Sequence, residues 1–214
     1  MEQLHVKHLT HNYTMNSPMV LFDVTFKPTS THKIQSTGIY VVAGGPCSGK
    51  TSLVRALAND GIKTIPETAE QMINQGISAG IPVEEQRKDP VEWQMDLLQK
   101  DFSLFDKLAD NQGHVITDTS FIETLVFSSR IGIKMGPGVK SWLQSKRYQA
   151  VFFLEPIEKY SETLVRMESN QVASQIGQEI KEAYRNHGYN VVMIPLMSLT
   201  DRCQFVKNYI SQEK

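Results

Sequence analysis

An α/β class, built on a mainly parallel sheet of about five strands with helices on both faces, is predicted by three features of this sequence. From Gly38 onward, short apolar runs rich in β-branched residues alternate with segments whose apolar residues recur every three or four positions. The first of those runs ends in glycines that open directly into a helical pattern. At 214 residues the chain is long enough for one such domain with a substantial core and short for two.

The elements follow in order. Residues 1–36 are rich in His, Thr and Ser and read as an N-terminal extension to a domain spanning 37–214. The alternating stretch 20–26, closed by Pro28, is expected to add an edge strand. The extension's histidines, His5, His8, His11 and His32, have no Cys or carboxylate cluster at ligand spacing, so they read as a polar arm and not as a metal site. Strands are expected at 39–43, 63–65, 114–117, 150–154 and 190–194. After the first comes a helix with Leu53, Val54, Leu57 and Ala58 as its stripe. The spacing predicts a helix over 90–109, with Pro90 in its first turn and Val91, Met95, Leu98, Phe102, Phe105 and Leu108 on one face. Another spans about 158–187, with Val172, Ile176, Ile180 and Tyr184 inward and Gly188 as a left-handed C-cap. A last helix, entered through Ser198 or Thr200, packs Phe205, Val206 and Ile210.

Charged residues are 21% and the net charge is −1, which provides no basic field for a nucleic-acid backbone, so a small ligand is expected. Cys47 and Cys203 follow no metal or redox spacing and read as reduced thiols, in keeping with a cytoplasmic protein. No apolar run approaches the ~20 residues needed to span a bilayer, and the N-terminus lacks an apolar signal core. A soluble protein with no transmembrane segment is therefore expected.

The chemistry is concentrated in "GGPCSGKTS", where Gly44, four residues, Gly49, Lys50 and Thr51 satisfy the phosphate-loop pattern GxxxxGK[ST]. A strand ending in glycines turns sharply into a helix while its N–H groups point at an anion. Gly44, Gly45, Pro46, Cys47, Ser48, Gly49, Lys50, Thr51 and Ser52 are thus the expected nucleotide-binding residues. Lys50 would reach the β and γ phosphates, and the Thr51 hydroxyl would take a position on Mg²⁺. A second oxygen for the metal is expected at the end of a neighbouring strand, and "HVITDTS" supplies Asp118, which could equally cap the helix that follows.

What surrounds the loop separates transfer from hydrolysis. Thr119 follows Asp118 where motor ATPases place a water-polarising Glu, and the chain lacks the NKxD stretch by which many GTPases hold guanine. In "IKTIPETAEQMI", Glu67 opens a helix after the second strand; it could accept an acceptor's hydroxyl proton, or only complement a helix dipole, and Glu70 one turn later could face solvent. Arg166 is the candidate lid arginine, with Arg130 and Lys134 weaker ones and a solvated role the alternative for each.

The ordered set "GGPCSGKTS", "IPETAEQMI", "DPVEWQMDLLQ", "VITDTSFIETLVF", "YQAVFFLEP", "VRMESNQ", "AYRNHGYNVVMIP" and "LTDRCQFV" resembles the kinase-like branch of P-loop proteins with AAA-type ATPase domains. That group includes the ribosylnicotinamide kinase domain of the NadR regulator and the nucleotide-binding domain of the TRPL translocation defect protein. The resemblance covers about residues 38–212. It implies a nucleoside-kinase-like P-loop NTPase fold with Mg²⁺ and ATP or GTP in the loop. Glu67 would then face the acceptor, Asp118 the metal or acceptor, Arg166 the lid, and Arg202 the base. Members of the group usually carry Arg where this chain has Thr119 and Glu70. With that positive charge missing, a neutral or weakly anionic acceptor is expected over a multiply phosphorylated one. The leading expectation is a small-molecule kinase acting on a nucleoside-like acceptor. The alternatives are a nucleotide-binding regulatory module, whose lid and N-terminal arm report to a protein partner, and an ATPase without a small-molecule acceptor.

Overall fold

The alternation of strand and helix patterns resolves as expected for most of the chain. The computed structural model describes residues 5–9, 20–25, 35–36, 38–109, 113–155 and 170–213. In chain order these form β1 (His5–Leu9), β2 (Val20–Thr25), β3 (Gln35–Ser36), β4 (Ile39–Gly44), α1 (Lys50–Asn59), β5 (Thr64–Ile65), α2 (Thr68–Ser78), α3 (Val83–Gln86) and α4 (Pro90–Ala109). They continue through β6 (Val115–Asp118), α5 (Phe121–Arg130), β7 (Ile133–Met135), α6 (Pro137–Ser145), β8 (Lys146–Arg147), β9 (Ala150–Leu154), α7 (Asn170–Asn186), β10 (Val191–Ile194) and α8 (Leu199–Gln212). The chain divides into two compact units. One comprises Gly38–Glu67, Asn111–Glu123 and Tyr148–Lys214, the other Met1–Thr37, Thr68–Asp110 and Thr124–Arg147.

The first unit holds a five-stranded sheet in the order β10-β9-β4-β6-β5, parallel throughout. Every residue of β4, β6 and β9 is buried, as expected of parallel strands covered on both faces. The chain runs to one side of β4 for β5 and β6 and to the other for β9 and β10, which places a topological switch point at the end of β4. Tyr40, Val42, Ile116 and Phe152 of the strands pack with Leu53, Val54 and Leu57 of α1 and Cys203, Val206 and Ile210 of α8. Ala58, expected on the stripe of α1, is exposed, and Ala56 packs against the core instead, because the buried face centres on Leu53 and Leu57. On α7, Ile176, Ile180 and Tyr184 are buried and Val172 half-buried, and Gly188 takes φ 71 at the C-terminal turn. The part of the expected 158–187 helix before Asn170 lies outside the described residues.

In the second unit α4 has the bounds its periodicity predicted, Pro90–Ala109. The Asp89 carboxylate caps it by accepting the N–H groups of Val91 (2.9 Å) and Glu92 (3.0 Å). Residues 20–26 do not add an edge to the parallel sheet. Instead β2 pairs antiparallel with β1 and parallel with β7, in a separate three-stranded sheet. β7 receives Val20 to Phe22 and β1 receives Leu21 to Thr25 in register, so β2 is the middle strand of its own sheet. Phe22 then packs against Phe102 (5.8 Å between ring centroids), which packs against Trp142 (4.3 Å). Asp101 on α4 is buried, and burial pushes its carboxyl up to about 6 even though the Thr124 and Thr68 side chains hydrogen-bond to it.

Candidate functional site

The C-terminal edge of the five-stranded sheet gathers the phosphate loop, Glu67 and Asp118. Register pairs Val42 with Asp118, Ile65 with Thr117 and Gly44 with Leu154, so the loop after β4, Glu67 after β5 and Asp118 at the tip of β6 stand at one edge. This is where ligands bind in open α/β sheets, because strand-end loops and helix N-termini converge there.

The loop from Gly44 to Gly49 enters α1 with Lys50 as the first helical residue and Gly49 at the N-cap with φ 90. The Lys50 ammonium donates to the carbonyls of Gly44 (2.8 Å) and Gly45 (3.1 Å), which fixes it at the mouth of the loop. Gly45 has no room for a side chain: a Cβ there would lie 2.7 Å from the Ala173 carbonyl oxygen and 2.9 Å from the Gly177 Cα. Helix α7 therefore lies backbone to backbone on the loop. Ser48 is fully buried with its Oγ unpaired, and Cys47 has φ 64. Pro46, Cys47 and Thr51 are half-buried and Ser52 is exposed.

Asp118 ends β6 and is 3% exposed. It does not cap α5; Ser120 does, its Oγ accepting the N–H of Ile122 at 3.1 Å. Between them Thr119 adopts φ 65, a costly conformation for a β-branched residue, and its N–H reaches the Val42 carbonyl at 3.2 Å. Strain of this kind persists only where the surroundings over-determine it.

The sequence reading missed Glu123. It lies one turn into α5, 3% exposed, within electrostatic range of Lys50, Asp118 and Glu67. Burial, above all, pushes its carboxyl up to about 8; Asp118 and Glu67 add to the rise, while Lys50 and the Tyr184 hydroxyl oppose it. The signal available for it is slight: Ile122, Leu125, Val126 and Phe127 make "FIETLVF" mostly apolar, although Thr124 adjoins the Glu.

The donor set suits a hard divalent cation. Thr51 and Asp118 offer oxygens, Glu67 brings further negative charge, and among the described residues no group of three or more His, Cys, Asp or Glu could hold a metal alone. Mg²⁺ characteristically takes one or two protein oxygens and completes its shell with phosphates and water. Of the other candidates, Glu70 lies in the first turn of α2, Arg130 ends α5 and Lys134 lies in β7, all in the second unit. Arg202 is buried in the first turn of α8 and its Nε makes no hydrogen bond. Arg166, His11 and His32 lie outside the described residues.

Residues 39–202 match the family model of the AAA domain. Among solved structures, deoxyadenosine kinase from M. mycoides with products dCMP and dCDP is similar at a TM-score of 0.56 and 10% identity, over 81% of this chain and 99% of that one. The NadR protein in complex with NR is similar at 0.57 and 18% identity, over 85% of this chain and 52% of that one, so the match spans about half of NadR. NadR with NAD and AMP-PNP gives 0.55 and 18%, over 81% and 49%. No curated protein sequence matches the chain.

Proposed function

The chain belongs to the AAA domain family, and from that premise we propose that it is an ATP- or GTP-binding kinase that passes the γ-phosphoryl group to a hydroxyl of a nucleoside-like small molecule. One observation carries the reading: a complete phosphate loop opens at the same sheet edge as Glu67 and Asp118, and Lys50, Asp118 and Glu67 all lie within electrostatic range of Glu123. The deoxyadenosine kinase and the AMP-PNP complex of NadR, which share the fold, support it.

In this mechanism the N–H groups of the Gly44–Thr51 loop hold the β and γ phosphates, and Lys50 leaves its carbonyl partners to meet them. Thr51 and Asp118 hold Mg²⁺, which when bound neutralises charge on the phosphates. Glu67 accepts the proton of the acceptor hydroxyl as its oxygen attacks the γ phosphorus and the β–γ bridging bond breaks. Arg166 covers the transferring group, and Arg202 lies toward the base. With Thr119 and Glu70 where positive charge would offset repulsion, a neutral or weakly anionic acceptor is favoured over a multiply phosphorylated one. We assign this chemistry to a domain spanning 37–214, with 1–36 an extension open to a protein partner. We place the protein in the cytoplasm, in keeping with its two free cysteines. Among the described residues no helix is long and apolar enough to cross a membrane.

The test is nucleotide consumption with Mg²⁺ across a panel of nucleosides, against a control with none. Acceptor-dependent ADP or GDP supports the kinase. Acceptor-independent turnover, or binding without turnover, overturns it in favour of an ATPase or a regulatory module.

A further inference from the structure

Tyr184 on α7 is fully buried, its ring set edge-on to Tyr189 at 5.7 Å, and its hydroxyl meets two groups of the candidate site. One is Ser120 Oγ at 2.6 Å; the other is Glu123 Oε1, which accepts from it at 3.3 Å. Each hydroxyl has one proton to give. Because Tyr184 gives its proton to Glu123, Ser120 must donate to Tyr184, while Ser120 itself accepts from the Ile122 N–H. The chain of bonds runs Ile122, Ser120, Tyr184, Glu123 and closes on itself, since Ile122 and Glu123 are adjacent. Burial holds the Tyr184 hydroxyl well above its usual range, so it stays a donor at any working pH.

Resting on the nucleotide-binding reading above, we propose that Tyr184 is a positioning residue of the metal–nucleotide site. Its hydroxyl ties the strained Asp118–Thr119–Ser120 turn and Glu123 to helix α7, and so fixes the direction in which Asp118 presents its carboxylate. Thr119, held at φ 65, needs such a tether, because without it the turn can relax toward an ordinary conformation and swing Asp118. The same helix lies on Gly45, so both halves of the site take their placement from α7.

The experiment measures AMP-PNP affinity by calorimetry with Mg²⁺ and again with EDTA, for the full chain and for Tyr184→Phe, Ser120→Ala and the double variant, with melting temperature in parallel. A residue that only stabilises the fold would move the melting temperature and leave the ratio of the two affinities alone. We expect Tyr184→Phe to lower the gain from Mg²⁺ by roughly tenfold or more with the EDTA affinity unchanged, and the double variant to lose no more than the larger single loss. An unchanged Mg²⁺ gain in Tyr184→Phe overturns the proposal; if that variant does not fold, an unchanged gain in Ser120→Ala does so. A parent chain that binds no AMP-PNP overturns the nucleotide reading and this proposal together, a result distinct from either.

Discussion

Replacing Glu123 by Gln should make the ligand-free protein less sensitive to pH. The parent carboxyl is pushed up to about 8 in the folded chain, from an ordinary value of 4.5, chiefly by burial. A group raised in this way stabilises the fold fully below pH 4.5, and that contribution is lost as pH rises through about 8. Asp101, pushed up to about 6 from 3.8, loses its contribution at lower pH, which leaves the interval between 6 and 8 to Glu123 among the shifted carboxyls. Across that interval the folded chain holds close to one extra proton, which amounts to ~2 kcal/mol of lost stability. For a chain of this size that is a fall of about 4 to 8 °C in melting temperature. Gln keeps the shape of the neutral carboxyl and can still accept from Tyr184, so its melting temperature should stay flatter over the same interval. The assay is thermal denaturation in EDTA, without nucleotide, at pH 6, 7 and 8. Parallel curves for parent and variant would refute a buried, neutral Glu123.

Lys50→Ala should abolish tight binding of Mg·nucleotide by calorimetry while leaving the melting temperature close to the parent's, since this half-buried lysine contributes phosphate contact and little core; unchanged affinity would remove the phosphate-loop assignment. Gly45→Ala should cost about 1–3 kcal/mol and weaken nucleotide binding, because its methyl must displace the backbone of Ala173 and Gly177; a variant as stable as the parent in denaturant unfolding would contradict the backbone contact with α7. Glu67→Gln should lower acceptor-dependent turnover by roughly 10²- to 10⁴-fold with nucleotide affinity little changed. Asp118→Asn should instead weaken the Mg²⁺ dependence of binding as well as turnover. Identical behaviour of these two variants in paired kinetic and calorimetric measurements would contradict their separate roles.

What could be read from the sequence was what local periodicity encodes. The helix Pro90–Ala109 and the strand Ala150–Leu154 have the bounds their spacing implies, because each buries a face set by residues within a few positions of one another. The loop could be read for a similar reason, since glycine positions, lysine and threonine all lie within eight residues. The partner of β2 could not be foreseen: Val20 pairs with Ile133 in a strand of only three residues, a contact that no window of sequence contains. Glu123 was obscured because a glutamate on a helix normally faces water, and the Ser120, Thr124 and Ser128 around it give α5 the look of a helix with a solvated side, although all three are buried. Tyr184 read correctly as an inward residue, but its hydroxyl bonds join positions more than sixty residues apart, so its polar end could not be assigned from spacing.

The most direct test of phosphoryl transfer follows the γ-phosphoryl group itself. Nucleotide labelled at that position is incubated with the protein, Mg²⁺ and the nucleoside panel, and the products are separated to see where the label goes. The expected result is label on one acceptor, equal in amount to the nucleoside diphosphate formed and strongly reduced in Glu67→Gln. Label appearing only as inorganic phosphate, at one rate with or without acceptor and undiminished in Glu67→Gln, would contradict it.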